Sequence, residues 1–301
     1  MTRVLTGSDV AALLSLDDCI AAVESAFRAH GEGALAPPGI LSVHAERGAF
    51  HIKTAMFGRW FAAKTNANFP SNPSKHNLPT VQGVLLLFDA DDGVPVAVMD
   101  SMEITVRRTA AATAVAAKHL ARPATGTIEI YGCGRQGRVQ LEALARVMPV
   151  RRVIAHDIDP RAVERLAAHF ALVERGEPDV IVTCTTSRSP VLREARPGVF
   201  IAAVGADNPE KVEIDPDLMR RSTIVTDVTA QAMELGDLHH ASGAVVHAEL
   251  GEIVAGRKAG RRADDEVIIF DSTGAGFQDA AAAAVVYERA RERGAGIDVV
   301  M

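Results

Sequence analysis

The chain has 301 residues, of which 48% are hydrophobic and 51 are alanine, whereas only 13 are aromatic; this composition excludes an intrinsically disordered chain. No run of about 18 uncharged apolar residues is available to span a bilayer, and a net charge of -6 argues against a nucleic-acid surface. The three scattered cysteines and the lack of a basic leader favour a reduced, cytoplasmic protein without disulfides.

Short apolar segments separated by turn signals dominate the first third of the chain. The first thirty residues favour helices, most clearly Leu16–His30, where apolar residues recur at spacings of three and four. Asp91–Gly93 is typical of a hairpin turn. An antiparallel sheet is therefore expected, with Lys64 and Thr80 on the two sides of the Pro- and Asn-rich loop at 69–74. The five candidate strands are Gly39–Val43, Ala49–Ala55, Trp60–Ala67, Val81–Asp89 and Val94–Asp100.

A change of pattern occurs after the alanine-rich helix predicted over Ser101–Ala121, which Arg122-Pro123 ends. Beyond it, strands alternate with helices, which predicts a doubly wound parallel sheet. A last helix, Gln278–Arg293, could pack back on the first domain. The sequence thus predicts an α/β protein: an α+β domain with an antiparallel sheet at 1–122, joined by about 278–301, and a Rossmann domain at 123–277. The strands predicted for the second domain are Thr127–Tyr131, Arg152–His156, Val180–Cys184, Phe200–Val204, Thr223–Thr226 and Val267–Phe270.

A glycine-rich motif follows the first strand of the predicted Rossmann domain. Gly132, Gly134 and Gly137 form GxGxxG between a strand and a helix, the context in which backbone N–H groups at a helix start hold a pyrophosphate. Asp157 lies twenty residues beyond the third glycine, where an acid binds the ribose hydroxyls and repels a 2′-phosphate. The motif predicts an NAD site. Arg161 leaves NADP open as a less favoured cofactor. The alternative to a cofactor site is a tight turn between strand and helix that binds nothing.

Three later loops are expected to border the same site, because ligands bind outside the carboxyl ends of parallel strands. They are Thr185-Thr186-Ser187, the segment from Val204 to Asp207, and Asp271–Gly274. Asp207 could exchange a proton with a substrate nitrogen, or it could simply cap its loop. His239, His240 and His247 lack metal-ligand spacing, so we expect ordinary loop histidines and no bound metal.

Basic residues in the first domain point to an anionic ligand. Helical geometry puts Arg108 on an apolar face without the i, i+4 partner that Glu103 gives Arg107, so Arg108 would bind a ligand carboxylate or form a buried ion pair within the chain. Lys53 shares a strand face with His51, and Lys64 lies among small residues. Each lysine alone is as consistent with a solvated strand position as with a function.

Several segments together resemble the ornithine cyclodeaminase/μ-crystallin family, in the same order along nearly the whole chain. The resemblance implies a homodimer formed through the first domain, an NAD cofactor and a small amino- or imino-acid substrate. The segments that carry it are Ala63–Asn66, Leu78–Gly83, Thr105–Ala111, Gly205–Glu213, and Asp271–Gly274 followed by Gln278-Asp279.

The resemblance also implies roles for matching residues. Lys64 and Arg108 would bind the substrate carboxylate, Thr273 would border the substrate, and Asp207 would be the general acid/base, with Lys64 a second catalytic candidate. One departure is that Gly39 and Ile40 stand where many members carry an arginine after the proline pair, so we infer that His51 and Lys53 reshape the anion site. The residues implied to contact the cofactor are Thr80, Arg108, Thr109, Arg135, Gln136, Asp157 and Ser272.

Three functions remain open at this point. The first is an NAD(H)-dependent amino-acid dehydrogenase or imine reductase, in which hydride passes between the nicotinamide and the substrate α-carbon. The second is ornithine cyclodeaminase, a lyase that releases ammonia and gives proline without net redox change. The third is a non-enzymatic binder of cofactor and ligand, as in μ-crystallin. A dehydrogenase or reductase changes nicotinamide absorbance in step with substrate, and a cyclodeaminase releases ammonia with no net change in absorbance. A binder shows saturation without turnover.

Overall fold

The computed structural model of the protein describes residues 1–123 and 126–300. The predicted C-terminal segment 278–301 is therefore covered as far as residue 300, and Ala124, Thr125 and Met301 lie outside the described residues. The first elements in chain order are β1 (Thr2–Leu5), α1 (Gly7–Leu13), α2 (Leu16–Gly31), β2 (Gly39–Ala45), β3 (Gly48–Phe57), β4 (Trp60–Asn68), α3 (Asn72–His76), β5 (Val81–Asp89), β6 (Pro95–Asp100) and α4 (Ser101–Leu120).

The remaining elements alternate between strand and helix over most of their length. They are β7 (Thr127–Tyr131), α5 (Arg135–Leu144), β8 (Arg152–His156), α6 (Pro160–Ala167), β9 (Val180–Thr183), β10 (Arg188–Leu192), β11 (Phe200–Ala203), β12 (Val212–Ile214), α7 (Pro216–Arg220), β13 (Thr223–Thr226), α8 (Thr229–Leu235), a 3-10 turn (Asp237–His240), β14 (Val246–Glu249), α9 (Leu250–Val254), β15 (Ile268–Asp271), α10 (Gly276–Arg293) and β16 (Ile297–Val299).

The chain divides into two compact units. The first comprises residues 1–26, 33–108 and 275–301, and the second comprises residues 27–32 and 109–274. Helix α4 contributes to both, since its residues up to Arg108 belong to the first unit and the following ones to the second. The functional boundary at residue 122 and the substrate-binding and dimerisation role of the first domain stay predictions.

The first unit is built on a seven-stranded sheet in the order β16-β1-β6-β5-β4-β3-β2. Helix α10 packs on β3 and β4, and alternating side chains such as Leu85 and Leu87 are completely buried on one face. The antiparallel sheet expected for the five predicted strands is confirmed, because each neighbouring pair from β2 to β6 is antiparallel; β1 adds one parallel pair with β6. The expectation that residues 2–5 are helical is wrong: they form a strand because β6 and β16, both distant in sequence, pair with them.

The second unit contains the predicted doubly wound sheet, in the order β14-β13-β15-β11-β9-β7-β8 with every pair parallel. The sequences of its central strands are almost entirely apolar because both faces of the sheet are buried. The side chains of Ile181, Ile201 and Ile269, for example, are each at most 2% exposed. The α/β fold class with a Rossmann sheet is thus confirmed. Within the described ranges, no helix combines the length and apolarity that crossing a bilayer requires.

Candidate functional site

The glycine motif forms the link between β7 and α5. Gly132 has φ +99°, a backbone conformation that favours glycine. Gly134 is the N-cap of α5, and a Cβ placed on it would meet nothing within 4 Å, so a ligand can approach its backbone. A Cβ at Gly137 would lie 2.0 Å from the Gly132 carbonyl oxygen, which explains why helix and strand can pack there only with glycine. These residues fit the pyrophosphate of a dinucleotide.

Asp157 lies directly beyond β8 and is tied to the glycine loop. Its Oδ2 accepts a hydrogen bond from the Cys133 backbone N–H at 2.7 Å, and its Oδ1 accepts one from Asp159 N–H at 2.8 Å. The carboxylate is half-buried at the edge where β7 and β8 end. Arg135 and Gln136 open α5, where Arg135 is exposed and Gln136 half-buried. The second unit therefore brings together the motif and the acid that the sequence assigned to the dinucleotide.

The loops after β9 and β11 are joined by a residue that the sequence analysis did not single out as functional. Glu213, on β12, accepts hydrogen bonds from the Thr185 hydroxyl at 2.7 Å and from Gly205 N–H at 2.8 Å. Ser187 N–H donates to the Thr185 hydroxyl at 3.1 Å, which makes a compact turn. The remaining residues predicted there lie in the same two loops: Thr186 is exposed, and Val204 is half-buried and directly follows β11.

A second buried acid, Asp227, shapes the loop after β15. Its carboxylate accepts hydrogen bonds from the Ser272 hydroxyl at 3.1 Å, the Thr273 hydroxyl at 3.2 Å and Gly274 N–H at 2.6 Å. Gln231 also donates to the Thr273 hydroxyl at 2.6 Å. Ser272 and Thr273 are each only 3% exposed, and these hydrogen bonds connect their loop to Asp227 and Gln231.

Asp207 lies in an exposed loop position rather than in a buried pocket. Its side chain is 51% exposed and forms an ion pair with Lys211 Nζ at 2.6 Å. Asn208 Nδ2 also approaches the same carboxylate oxygen at 3.5 Å. The general acid/base role of Asp207 stays a prediction.

A cluster of charged side chains is buried in the first unit. Lys64 Nζ lies 2.8 Å from Asp279 Oδ1 and 2.7 Å from Oδ2, and Arg108 Nε lies 2.9 Å from Asp279 Oδ1. Arg108 also donates to Gln278 Oε1 at 3.2 Å. Lys53 is directly opposite Lys64 in the β3–β4 pair and is itself buried. We call Lys53, Lys64, Arg108 and Asp279 the cationic cluster: three basic groups surround one acid.

Burial changes the acid–base behaviour of this cluster. Desolvation lowers the pKa of Lys64 to about 7, with Arg108 and Lys53 adding to the effect and Asp279 partly opposing it. The pKa of Asp279 is held below its usual value, because the attraction of Lys64 and Arg108 outweighs the desolvation that would raise it. The cluster thus retains an ionised carboxylate, and Lys64 can change charge near neutral pH.

The other site residues predicted for the first domain, residues 1–122, lie on β3, in the loop before β5 and in α4. His51, two residues before Lys53 on β3, is half-buried, and its Nδ1 lies 2.9 Å from the Ser42 hydroxyl. The Thr80 carbonyl accepts from Phe69 N–H at 2.8 Å and so closes the predicted loop. Thr109, the next residue after Arg108, is buried in α4, and its carbonyl accepts from the Thr113 hydroxyl at 3.4 Å.

The three histidines singled out in the sequence contact backbone carbonyls. His239 lies 3.1 Å from Met233 O, His240 lies 2.9 Å from Lys211 O, and His247 lies 2.9 Å from Ala259 O. Across the part of the chain that the structure describes, no group of three or more His, Cys, Asp or Glu side chains is arranged to hold a metal ion.

Three buried acids, one in the first unit and two in the second, were missed as functional candidates in the sequence. Asp279 and Glu213 lie inside segments that carried the family resemblance, but nothing in their spacing indicated a partner; Asp227 had no signal beyond its place after a strand. The structure also shows that the chain itself supplies a counter-ion for Arg108, which the sequence analysis left open.

Comparison with known proteins gives one consistent result. Residues 1–294 match the profile of the ornithine cyclodeaminase/mu-crystallin family. An alanine dehydrogenase from Archaeoglobus fulgidus is 38% identical over 98% of this chain and 97% of its own length. The structure of an archaeal alanine dehydrogenase dimer with bound NAD superposes with a TM-score of 0.95 at 36% identity, covering 99% of each chain.

Two further solved structures differ in the reactions named for them. The Thermococcus litoralis Δ1-pyrroline-2-carboxylate reductase, in complex with NADH and L-proline, has a TM-score of 0.92 at 31% identity and covers 99% of this chain and 100% of its own. A lysine cyclodeaminase has a TM-score of 0.88 at 31% identity, covering 100% of this chain and 95% of its own.

Proposed function

Because this chain belongs to the ornithine cyclodeaminase/mu-crystallin family, we propose that it is an NAD(H)-dependent oxidoreductase that moves a hydride between the cofactor and the α-carbon of a small amino or imino acid. The observation that carries the proposal is the glycine loop, whose Cys133 N–H is hydrogen-bonded to Asp157 at 2.7 Å. An acid in this place binds ribose hydroxyls and repels a 2′-phosphate, which favours NAD over NADP. The 38% identical alanine dehydrogenase and the NAD-bound archaeal structure support the same reaction class.

The cationic cluster of the first unit suits the substrate carboxylate. It contains three basic groups and one acid, so it attracts a further anion, and the Arg108 guanidinium can bind a carboxylate through two N–H groups. In this proposal Lys64 and Arg108 bind the carboxylate, and Asp279 keeps both side chains in place. NAD supplies or accepts the hydride when bound. Asp207, which forms an ion pair with Lys211, moves the proton at the substrate nitrogen: it donates the proton when an imine is reduced and accepts it when an amine is oxidised.

The structure shows what surrounds Gly39 and Ile40, which stand where many family members carry an arginine after the proline pair. Gly39 pairs with Thr54 in the β2–β3 hairpin, and a Cβ at Gly39 would lie 2.5 Å from the Thr54 hydroxyl oxygen, so a larger residue is not tolerated there without rearrangement. The next residue, Ile40, is opposite Lys53, which in turn is opposite Lys64. We propose that Lys53 supplies the positive charge that the arginine supplies in many relatives, with His51 further along the same strand.

A homodimer formed through the first unit is part of the proposal. The edge strand β2 exposes Leu41 by 56% and Val43 by 49%, and Phe50, opposite Val43, is 39% exposed. Exposed apolar side chains on an unpaired sheet edge are typical of an association surface. The NAD-bound archaeal relative is a dimer. The three free cysteines are consistent with a reducing compartment, and we retain the cytoplasm as the proposed location.

The second candidate is a cyclodeaminase, which the similarity to lysine cyclodeaminase favours. Both candidates are tested by a panel of cyclic imines, 2-oxo acids with ammonia, ornithine and lysine, scored in parallel for nicotinamide absorbance and for ammonia. A dehydrogenase or imine reductase changes absorbance in proportion to product. Ammonia release from ornithine or lysine at constant NADH would instead establish the cyclodeaminase.

A further inference from the structure

Glu213 forms an unusually complete set of hydrogen bonds within the second unit. It is fully buried on β12. Its Oε2 accepts from the Thr183 hydroxyl at 2.7 Å and from Gly205 N–H at 2.8 Å. Its Oε1 accepts from Thr185 N–H at 2.5 Å and from the Thr185 hydroxyl at 2.7 Å. Each carboxylate oxygen therefore receives one backbone N–H and one hydroxyl group.

This arrangement requires a carboxylate. A glutamine offers one acceptor oxygen and an NH2 donor, and whichever way it is turned the NH2 faces a backbone N–H of Thr185 or Gly205 that cannot reverse its polarity. The space is equally specific, because a Cβ at Gly205 would lie 2.5 Å from the Glu213 carboxylate atoms. The backbone at Gly205 thus approaches the carboxylate as closely as only glycine allows.

The two loops held by Glu213 follow neighbouring strands. Strand β9 lies between β7 and β11 in the sheet, so the glycine loop, the Thr185 loop and the Gly205 loop leave three consecutive strands at one edge. Ligands of such sheets bind outside that edge. We propose that Glu213 is a positioning residue, which sets the loops after β9 and β11 in the arrangement that binds the dinucleotide. This inference rests on the proposed NAD-dependent function.

Glu213 is itself held in place by a second acid. Asp237 Oδ1 accepts from the backbone N–H groups of Glu213 at 2.7 Å and Ile214 at 2.9 Å. Asp271 in turn accepts from Leu238 N–H at 2.8 Å, within the 3-10 turn that carries Asp237. These hydrogen bonds hold the β12 backbone at Glu213, from which the carboxylate reaches both loops.

The test compares Glu213→Gln with Asp179→Asn. Asp179 also accepts two backbone N–H groups, from Gly126 at 3.0 Å and Thr127 at 3.2 Å, but it precedes β9 and so lies at the opposite edge of the same sheet. In E213Q, amide hydrogen exchange at Thr185 and Gly205 is expected to accelerate, and the Kd for NADH is expected to rise about tenfold or more, the factor for one unpaired buried donor. D179N is expected to accelerate amide hydrogen exchange at Gly126 and Thr127. Its Kd for NADH is expected to stay within about twofold of the wild-type value, a smaller change than the loss of one hydrogen bond causes.

A milder variant keeps the test decisive if E213Q does not fold. Thr183→Val deletes the hydroxyl that shares Oε2 with Gly205 and lies within β9, while T183S retains that hydroxyl. T183V is expected to weaken NADH binding about fivefold, less than a full unpaired donor, and T183S is expected to bind like the wild type. Equal NADH affinity in wild type and in E213Q or T183V would overturn the positioning role, and so would equal weakening by D179N. A wild-type protein that binds no NADH would overturn the proposed function, and the positioning role with it.

Discussion

Asp279 provides the sharpest prediction about the first unit, because it is the acid that Lys64 and Arg108 share. Its side chain is 1% exposed, and those of Lys64 and Arg108 are 3% and 6% exposed. The variant Asp279→Asn preserves the shape but removes the charge. Arg108 cannot lose its proton. In the variant its guanidinium therefore stays charged and buried, but it has lost the ion pair with the Asp279 carboxylate.

The magnitude follows from the burial. Removing one partner of a buried ion pair costs about 3–5 kcal/mol, a large part of the roughly 5–15 kcal/mol that stabilises a typical domain. At about 2 °C per kcal/mol for a chain of this size, Tm is expected to fall by roughly 6–10 °C. An exposed helical pair gives the control: Arg138–Glu142, with side chains 47% and 37% exposed, is expected to contribute only about 0.3–0.5 kcal/mol.

The stability lost in D279N is also expected to depend on pH. The folded-state pKa of Lys64, about 7, lies below its ordinary value of 10.5, so the unfolded chain binds more protons between these values and this group adds stability as pH rises through that window. Loss of Asp279 lowers the pKa of Lys64 further. The cost of D279N is therefore expected to be larger at about pH 6 than at about pH 9, where Lys64 is neutral in both proteins.

The assay is denaturant and thermal unfolding of wild type, D279N and E142Q at one protein concentration, because association shifts apparent stability. The expected order of loss is D279N far above E142Q, with the difference growing as pH falls. A D279N protein that loses no more stability than E142Q would show that the cluster is not the buried, charged arrangement described above.

Three further predictions concern turnover and cofactor choice. The KM for a carboxylate substrate is expected to rise as pH increases through about 7, because Lys64 loses its charge there, and Lys64→Arg is expected to flatten that profile. Asp207→Asn is expected to retain NADH affinity but to lower kcat at least about a hundredfold, the usual contribution of a proton-transferring group. Asp157→Ser is expected to narrow the preference for NAD over NADP by about tenfold, since one repulsive charge facing the 2′-phosphate is removed; steady-state kinetics with both cofactors measures it.

Each of these has its own contradicting result. A KM profile that is identical in wild type and K64R would remove Lys64 from carboxylate binding. Near-normal kcat in D207N would remove Asp207 from proton transfer and leave it as the partner of Lys211. A wild-type enzyme that already prefers NADPH would contradict the reading of Asp157, whose carboxylate would then only hold the glycine loop through Cys133.

The fold was largely predictable because its signals are local. The strands from β3 to β6 alternate or are bounded by clear turns, and β7 runs into its glycine motif within a few residues. The missed strands are short and are formed by pairing with other strands: β1 pairs with β6 and β16, β10 pairs with β12, and β14 pairs with β13. A strand of three to five residues is too short to show a periodic pattern of apolar side chains in the sequence.

The site was predictable in part. Residue type and place along a strand or helix suggested Arg108, Asp157 and Asp207, whereas Lys64 was assigned only through the family resemblance. Asp279 could not be assigned, because the contact with Lys64 spans 215 positions and Asp279 lies in an alanine-rich helix that shows only an ordinary first-turn acid. Glu213 was hidden for the same reason: its hydrogen bonds join loops that follow separate strands, and spacing in one sequence does not report which loops meet.

The central claim is net hydride transfer to an imino acid, and one measurement tests it most directly. Purified protein is supplied with NADH and either a cyclic imino acid or a 2-oxo acid with ammonia, and cofactor oxidation is compared with the amount of amino acid formed. The account predicts one amino acid for each NADH consumed, with a rate that falls in D207N. NADH that stays constant with every substrate while ornithine or lysine releases ammonia would contradict it.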